Sequence, residues 1–293
     1  MARITNPFIR RLLLSPFARK ILLFLGVFGP ATITAMADND ASGVATLSLA
    51  GATLGYPILF IFLITTPLLA ITQEMGMRLA LVTRRGLADL IREQFGVRAS
   101  LFIFAALVVA NLGTVTVELA AIKTTSTMLN IPAIPFLILM IVLSFLAVTR
   151  GNYKITQAIM LLVSLFYLVY VVSAVKAKPD WGMAVTNLFV PHGVEFTPAY
   201  IRQYLIIGMG VVGTMITPWG QFFLSSFAFD KNIEASKVAY ARVETYVGSF
   251  LTHFIAFFLV VATAATLFVN HIPLNSGEQA ALAIEPFTGS FAS

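Results

Sequence analysis

Three consecutive polar residues, Asp38, Asn39 and Asp40, interrupt a stretch that is otherwise apolar and small, GPATITAMADNDASGVATLSLAGATLGY from Gly29 to Tyr56. A second interruption, Thr217-Pro218-Trp219-Gly220-Gln221, falls inside GMGVVGTMITPWGQFFLSS, Gly208 to Ser226. The donors in both places are oxygens: the carboxylates of Asp38 and Asp40, and the neutral oxygens of Asn39, Thr214, Thr217 and Gln221. An all-oxygen set suits magnesium, calcium or manganese rather than a soft metal. The chain has no cysteine, so a thiolate site, a disulfide framework and a redox dithiol are all excluded.

The elements that must carry these donors are set by composition. Of the 293 residues 58% are hydrophobic and 11% charged, and the mean hydropathy is +0.90. Soluble domains carry roughly a quarter charged residues. Apolar runs of about 20 residues recur, the length at which a helix crosses a bilayer. Seven membrane segments are predicted, over Ile21–Thr53, Pro57–Val82, Leu101–Ile122, Ile134–Val148, Ile155–Val175, Tyr204–Phe229 and Tyr246–Val269. Leu87–Phe95 is amphipathic and reads as a short surface helix. The segment Lys178–Arg202, with Pro179, Pro191 and Pro198, reads as an external loop.

Charge sets orientation and excludes one class of partner. The net charge is +6, but the positive residues lie in short clusters between apolar runs, which fits membrane topology and not nucleic-acid binding. Arg78, Arg84, Arg85, Arg92 and Arg98, then Arg150 and Lys154, then Lys231, Lys237 and Arg242, all fall on one side if the helices alternate. With the basic N-terminal arm they place the N-terminus in the cytoplasm of a multi-pass cell-membrane protein. Residues 1–20 form that arm, and residues 21–293 form one transmembrane domain embedded in lipid. No second domain, low-complexity tract or cleavable signal peptide is evident, and no protein partner is indicated.

A carboxylate at bilayer depth costs at least about 2.5–3.5 kcal/mol on insertion scales, and Asn, Asp, Ser and Gly favour turns and caps over helix interiors. The first segment therefore reads as a helix broken near Asp38–Gly43, with its polar groups facing a cavity. In the sixth, Pro218 removes a backbone bond and Gly220 loosens the next turn; the alternative there is a plain proline kink without ligands. Two interrupted helices five positions apart point to an all-α, leucine-transporter-like inverted-repeat transporter, with the site where the breaks meet.

With both breaks in view, the chain resembles the NRAMP (natural resistance-associated macrophage protein) family of divalent metal transporters. The resemblance rests on Asp40-Ala41-Ser42-Gly43-Val44-Ala45-Thr46 followed by Gly55-Tyr56, on Gln73, Arg78 and the Leu-Ala-Asp-Leu run at Leu87, and on Pro179-Asp180-Trp181. It implies that Asp40 takes the place of the metal-binding aspartate. It also implies about ten or eleven helices, so the chain reads as truncated after about seven. The departures are Gly43 where the family has asparagine, and Thr217-Pro218-Trp219 where it has Met-Pro-His. A hydroxyl replaces a thioether, and an indole replaces the imidazole associated with the proton route. This combination looks like the NRAMP-related magnesium transporter branch, which implies Mg2+ and Mn2+ uptake by alternating access without obligatory proton coupling. Magnesium is hard and holds its waters tightly, so Asp38, Asn39 and Gln221 would contact waters as readily as metal.

The nearest alternative is a proton-coupled manganese or iron symporter of the main family type. An organic-solute transporter is disfavoured because two aspartates would repel a substrate carboxylate. An intramembrane hydrolase is disfavoured because aspartic dyads usually come from two separate segments; the expectation is a transporter, not an enzyme, with no cofactor and a divalent ion as cargo. Four further polar positions stand out. The resemblance implies that Glu118 is an acid on the proton path, the alternative being a paired structural carboxylate; Glu74 and Arg78 are spaced as a helical ion pair; and His253, beside Thr252, is read as a structural hydrogen-bonding group, the alternative being one that titrates near neutrality.

Overall fold

The computed structural model describes residues 40–150, 165–230 and 238–274. Asp38 and Asn39, the N-terminal arm and the first parts of the first and fifth predicted segments lie outside these residues. The described helices are α1 (Ala41–Leu54), α2 (Phe60–Thr83), α3 (Leu87–Met128), α4 (Ala133–Arg150), α5 (Leu168–Lys176), α6 (Trp181–Asn187), α7 (Pro198–Met215), α8 (Pro218–Asp230) and α9 (Val238–Thr263). A 3-10 turn, Tyr56–Leu59, joins α1 to α2, and a π turn, Ala264–Phe268, extends α9. No strand occurs among the described residues.

Among the described residues, four stretches are long and apolar enough to cross a membrane: Tyr56–Thr83, Leu87–Met128, Pro198–Ser226 and Ala241–Phe268. Ala41–Leu54 and Ala133–Ala147 are shorter apolar helices. These cover the second, third, fourth, sixth and seventh predicted spans; of the first and the fifth the described residues contain only the last part.

Three sequence-based boundaries need correction. The third segment, expected over Leu101–Ile122, is part of a far longer helix that Gly96, with φ 79° and ψ 175°, breaks into a surface piece (87–95) and a membrane piece. The surface piece matches the amphipathic helix expected there, and Arg85 pairs with Glu93 on it. The region Lys178–Arg202 is not simply a loop. Asp180 caps α6 by accepting from the Met183 N–H at 2.9 Å, and Thr197 caps α7, whose first residue is Pro198. In the first segment, Ser42 and Gly43 belong to the opening turn of α1 rather than to unwound chain, while Asp38 and Asn39 lie outside the described residues.

The core sits where α1, α2, α7 and α9 meet, around Leu47, Leu54, Ile58, Val211, Met215, Leu259 and Val260. The fit of α1 on α9 depends on Gly51: a Cβ there would lie 2.1 Å from Thr263 Oγ1 and 2.7 Å from the Val260 carbonyl. Between α2 and α9 the interior is polar. His253 bonds the Ser249 carbonyl through Nδ1 and Thr65 Oγ1 through Nε2, both at 2.9 Å, and Ser249 Oγ donates to Gln73 Oε1 at 3.3 Å. His253 is thus a structural bridge between α2 and α9, its neighbour Thr252 bonding instead within its own helix. Apolar side chains of α3 and α4, such as Phe102, Val109, Ile134 and Phe145, point outward, the reverse of a water-soluble protein and the arrangement that lipid favours.

Candidate metal centre

Asp40 is the N-cap of α1. Its Oδ1 accepts from the Gly43 N–H and the Ser42 hydroxyl, each at 2.7 Å. A helix leaves its first N–H groups without intrahelical acceptors, and a carboxylate there satisfies one of them while meeting the positive end of the helix dipole. The caps explain why Ser42 and Gly43 join the helix despite their low propensity.

The sixth segment is interrupted as its sequence predicts. α7 ends at Met215, Ile216 turns out of helical geometry with φ −123° and ψ 68°, and α8 restarts at Pro218. Pro218 has no N–H, so the Thr214 carbonyl lacks the donor that a continuous helix would offer it four residues on. The proline is therefore a true helix break and not a bend in a continuous helix.

The start of α1 and the break after Met215 come level with each other. Tyr200 at the start of α7 donates its hydroxyl to the Leu54 carbonyl at 2.8 Å, and Tyr204 donates to the Pro57 carbonyl at 3.2 Å. Further along, a Cβ on Gly210 would sit 3.6 Å from Thr46 Cγ2. α1 and α7 are thus antiparallel, and continuing that register brings Asp40 opposite the Met215–Ile216 end of α7. Thr214 is half-buried one turn beyond Gly210, on the same helical face.

Asp40 opens into a cleft of about 440 Å3 lined by Asn111, Thr114, Val115 and Glu118 of α3 and by Trp219 of α8. Of the residues predicted from sequence, Asp40 and Trp219 share this cleft, and Thr214 lies near its level. Thr217 is half-buried in the break itself. Gln221 is set back against α2: its backbone carbonyl would lie 3.7 Å from a Cβ on Gly76, and its side-chain Oε1 and Nε2 are buried without hydrogen-bond partners. An amide buried in that state is ready to take a polar ligand or a ligand's water. Among the described residues, no group of three or more His, Cys, Asp or Glu residues is placed to hold a metal. Any ion here relies on one or two carboxylates and on neutral oxygens.

Asn111 and Thr114 were not anticipated from sequence. They share one face of α3 with Glu118, at the three- and four-residue spacings that stack side chains along a helix. A polar stripe at positions 111, 114 and 118 was the available signal. Glu118 itself reaches the start of α1: its Oε1 accepts from the Ser42 N–H at 3.3 Å.

Residues 31–293 match the Nramp family, natural resistance-associated macrophage protein-like. The chain belongs to this family. Members of the Nramp family are transporters, not enzymes. Similar curated proteins include the divalent metal cation transporter MntH of Latilactobacillus sakei, 24% identical over 233 residues, which are 77% of this chain and 49% of that protein. MntH of Verminephrobacter eiseniae is 24% identical over 280 residues, 91% of this chain and 62% of that protein. This Nramp chain thus spans about half to three-fifths of the length of these relatives. A crystal structure of the Eremococcus coleocola manganese transporter superimposes with a TM-score of 0.70 at 19% identity, covering 92% of this chain and 60% of that one. The shared fold is the all-α, leucine-transporter-like arrangement with an interrupted sixth helix, in a multi-pass membrane protein.

Proposed function

We propose that this Nramp chain binds a divalent cation at Asp40 and carries it across the cell membrane by alternating access, taking Mg2+ and Mn2+ without obligatory proton coupling. The observation that carries the reading is the position of Asp40 opposite the break at Ile216–Thr217, where the Thr214 carbonyl has lost its helical donor. A helix N-terminus bearing a carboxylate and a helix C-terminus bearing free carbonyls then face one ion. Thr217 and Thr214 supply hydroxyl and carbonyl oxygens, while Asp38, Asn39 and Gln221 complete the set directly or through water. Among the described residues, the lining of the Asp40 cleft offers oxygens, an amide and an indole but no sulfur, which favours a hard, hydrated ion.

Similar proteins are named divalent metal cation transporters and a manganese transporter. Those names support a divalent cargo; the magnesium preference and membership of the magnesium-transporting branch rest on Thr217 and Trp219. The basic residues between spans support a cytoplasmic N-terminus, and residues 1–20 and 21–293 are assigned to the arm and the transport domain on the same ground. A second reading, proton-coupled manganese or iron symport, is favoured by Glu118, a second carboxylate lining the Asp40 cleft.

Ion uptake into liposomes containing the full-length protein and an internal pH dye separates the two. The first reading predicts entry of magnesium and manganese without acidification, abolished in Asp40→Ala. Manganese entry with acidification and no magnesium entry would instead establish the symporter. Undiminished transport by Asp40→Ala would remove the site assignment altogether.

A further inference from the structure

Two clefts run along one face of α3 and meet at the first turn of α1. The cleft already described holds Asp40, Asn111, Thr114 and Glu118. A second, of about 480 Å3, lies toward the C-terminal end of α3 and is lined by Ala41 and Ser48 of α1, Val117, Thr124 and Thr125 of α3, and Tyr170 of α5. At 1.5 Å per residue, Asn111 lies about 10 Å to one side of Glu118 along the helix axis and Thr125 about 10 Å to the other. Glu118 stands at the junction. From there its carboxylate crosses to α1, accepting from the Ser42 N–H at 3.3 Å.

Two carboxylates therefore divide the free N–H groups of α1 between them. Asp40 takes Gly43 from within its own segment, and Glu118 takes Ser42 from a separate helix. The second contact ties the start of α1 to α3. It also sets the Glu118 side chain, which lines the Asp40 cleft, against the turn of α1 whose Ala41 lines the second cleft.

We propose that Glu118 is a positioning residue that partitions the two clefts: its bond to the N-terminus of α1 closes the route between them, and the route opens only when that bond is released. The inference rests on Asp40 as the cation site for its purpose, since the ion must pass from one cleft to the other. Its geometry stands apart from which ion is carried and from any proton coupling.

The chain contains no cysteine, so single cysteines report accessibility without background. In intact cells with divalent cations chelated, a membrane-impermeant thiol reagent is applied to Thr125→Cys and Asn111→Cys. The side from which Thr125→Cys reacts defines the compartment of the second cleft. From that side, Asn111→Cys is expected to be protected while Glu118 is present and to react on the order of tenfold faster in Glu118→Ala. Glu118→Gln keeps an oxygen that can accept from Ser42 and is expected to restore protection, which a role resting on the carboxylate charge would not predict. Equal reactivity of Asn111→Cys with and without Glu118, or a Gln variant that behaves like Ala, overturns the partition. Labelling requires no metal flux, so failure of the partition and failure of the transport reading are separately visible.

Discussion

Glu74 on α2 accepts from Arg242 on α9 at 3.0 Å, closer than the 3.8 Å to Arg78 one turn along its own helix. The spacing of Glu74 and Arg78 suggests an intrahelical pair, but the stronger contact is the one that ties two helices together. Glu74 is almost fully buried while both arginines remain about half exposed. Hydrogen bonds to charged groups contribute roughly 1.5–3 kcal/mol, and the exposed partners place this one toward the low end. Arg242→Ala is expected to lower thermal stability in detergent more than Arg78→Ala does. The reverse order would make the intrahelical pair the principal one.

Asp40 has two separable jobs, capping α1 and offering a charge to the ion. Asparagine caps a helix about as well as aspartate does, whereas alanine loses about 1 kcal/mol at such a position. Asp40→Asn is therefore expected to keep the wild-type melting temperature while losing divalent-ion binding, and Asp40→Ala to lose both. Calorimetric titration with Mn2+ alongside a melting curve checks the split. Retained Mn2+ affinity in Asp40→Asn would show that the carboxylate charge is not what holds the ion.

How far the sequence reveals this arrangement depends on whether a feature is local. The break after Met215 is readable because proline lacks an N–H wherever it stands, and the Thr214 carbonyl is deprived by that alone. The start of α1 is harder. Ser42 and Gly43 are weak helix formers, but directly after an aspartate cap they sit in the turn where such residues are tolerated, so the helix starts earlier than propensity suggests. Asp180 before Trp181, and Thr197 before Pro198, are start signals of the same kind inside a stretch that its prolines make look like loop. Glu118 is different in kind. Its partner on Ser42 lies 76 residues away, and only the packing of α1 on α3 brings them together. Asp38 and Asn39 lie outside the described residues, and their part in the site is a proposal from sequence.

Glycine has two opposite roles in the membrane helices, and they predict opposite responses to one substitution. At Gly51 an added methyl group would collide with Thr263 Oγ1 at 2.1 Å and with backbone of α9 at 2.7 Å. Overpacking of this kind costs about 1–3 kcal/mol, because two helices must separate. At Gly113 on α3 nothing lies within 4 Å of the same added atom, and alanine favours helix by up to about 1 kcal/mol. Gly51→Ala is expected to lower the melting temperature and Gly113→Ala to leave it unchanged or raise it. Equal responses would mean that α1 and α9 are not in the close contact described.

Thr217 is the position where ligand softness can be exchanged without touching Asp40. Methionine in its place, ahead of Pro218, would present a thioether at the helix break, and a soft donor favours softer ions over Mg2+. Thr217→Met is expected to raise the ability of Cd2+ to compete for Mn2+ uptake, by on the order of tenfold if the sulfur adds about 1.4 kcal/mol of preference. Magnesium uptake should fall in the same variant, since the hydroxyl that tolerates a hydrated ion is gone. Trp219→His, which would put an imidazole into the Asp40 cleft from α8, is expected to raise Cd2+ competition less than Thr217→Met does. Competition measured in both variants separates the two departures. If Thr217→Met leaves the Cd2+ to Mg2+ ratio where it was, Thr217 does not face the ion, and the oxygen set must be drawn from Asp40, the Thr214 carbonyl and the polar face of α3.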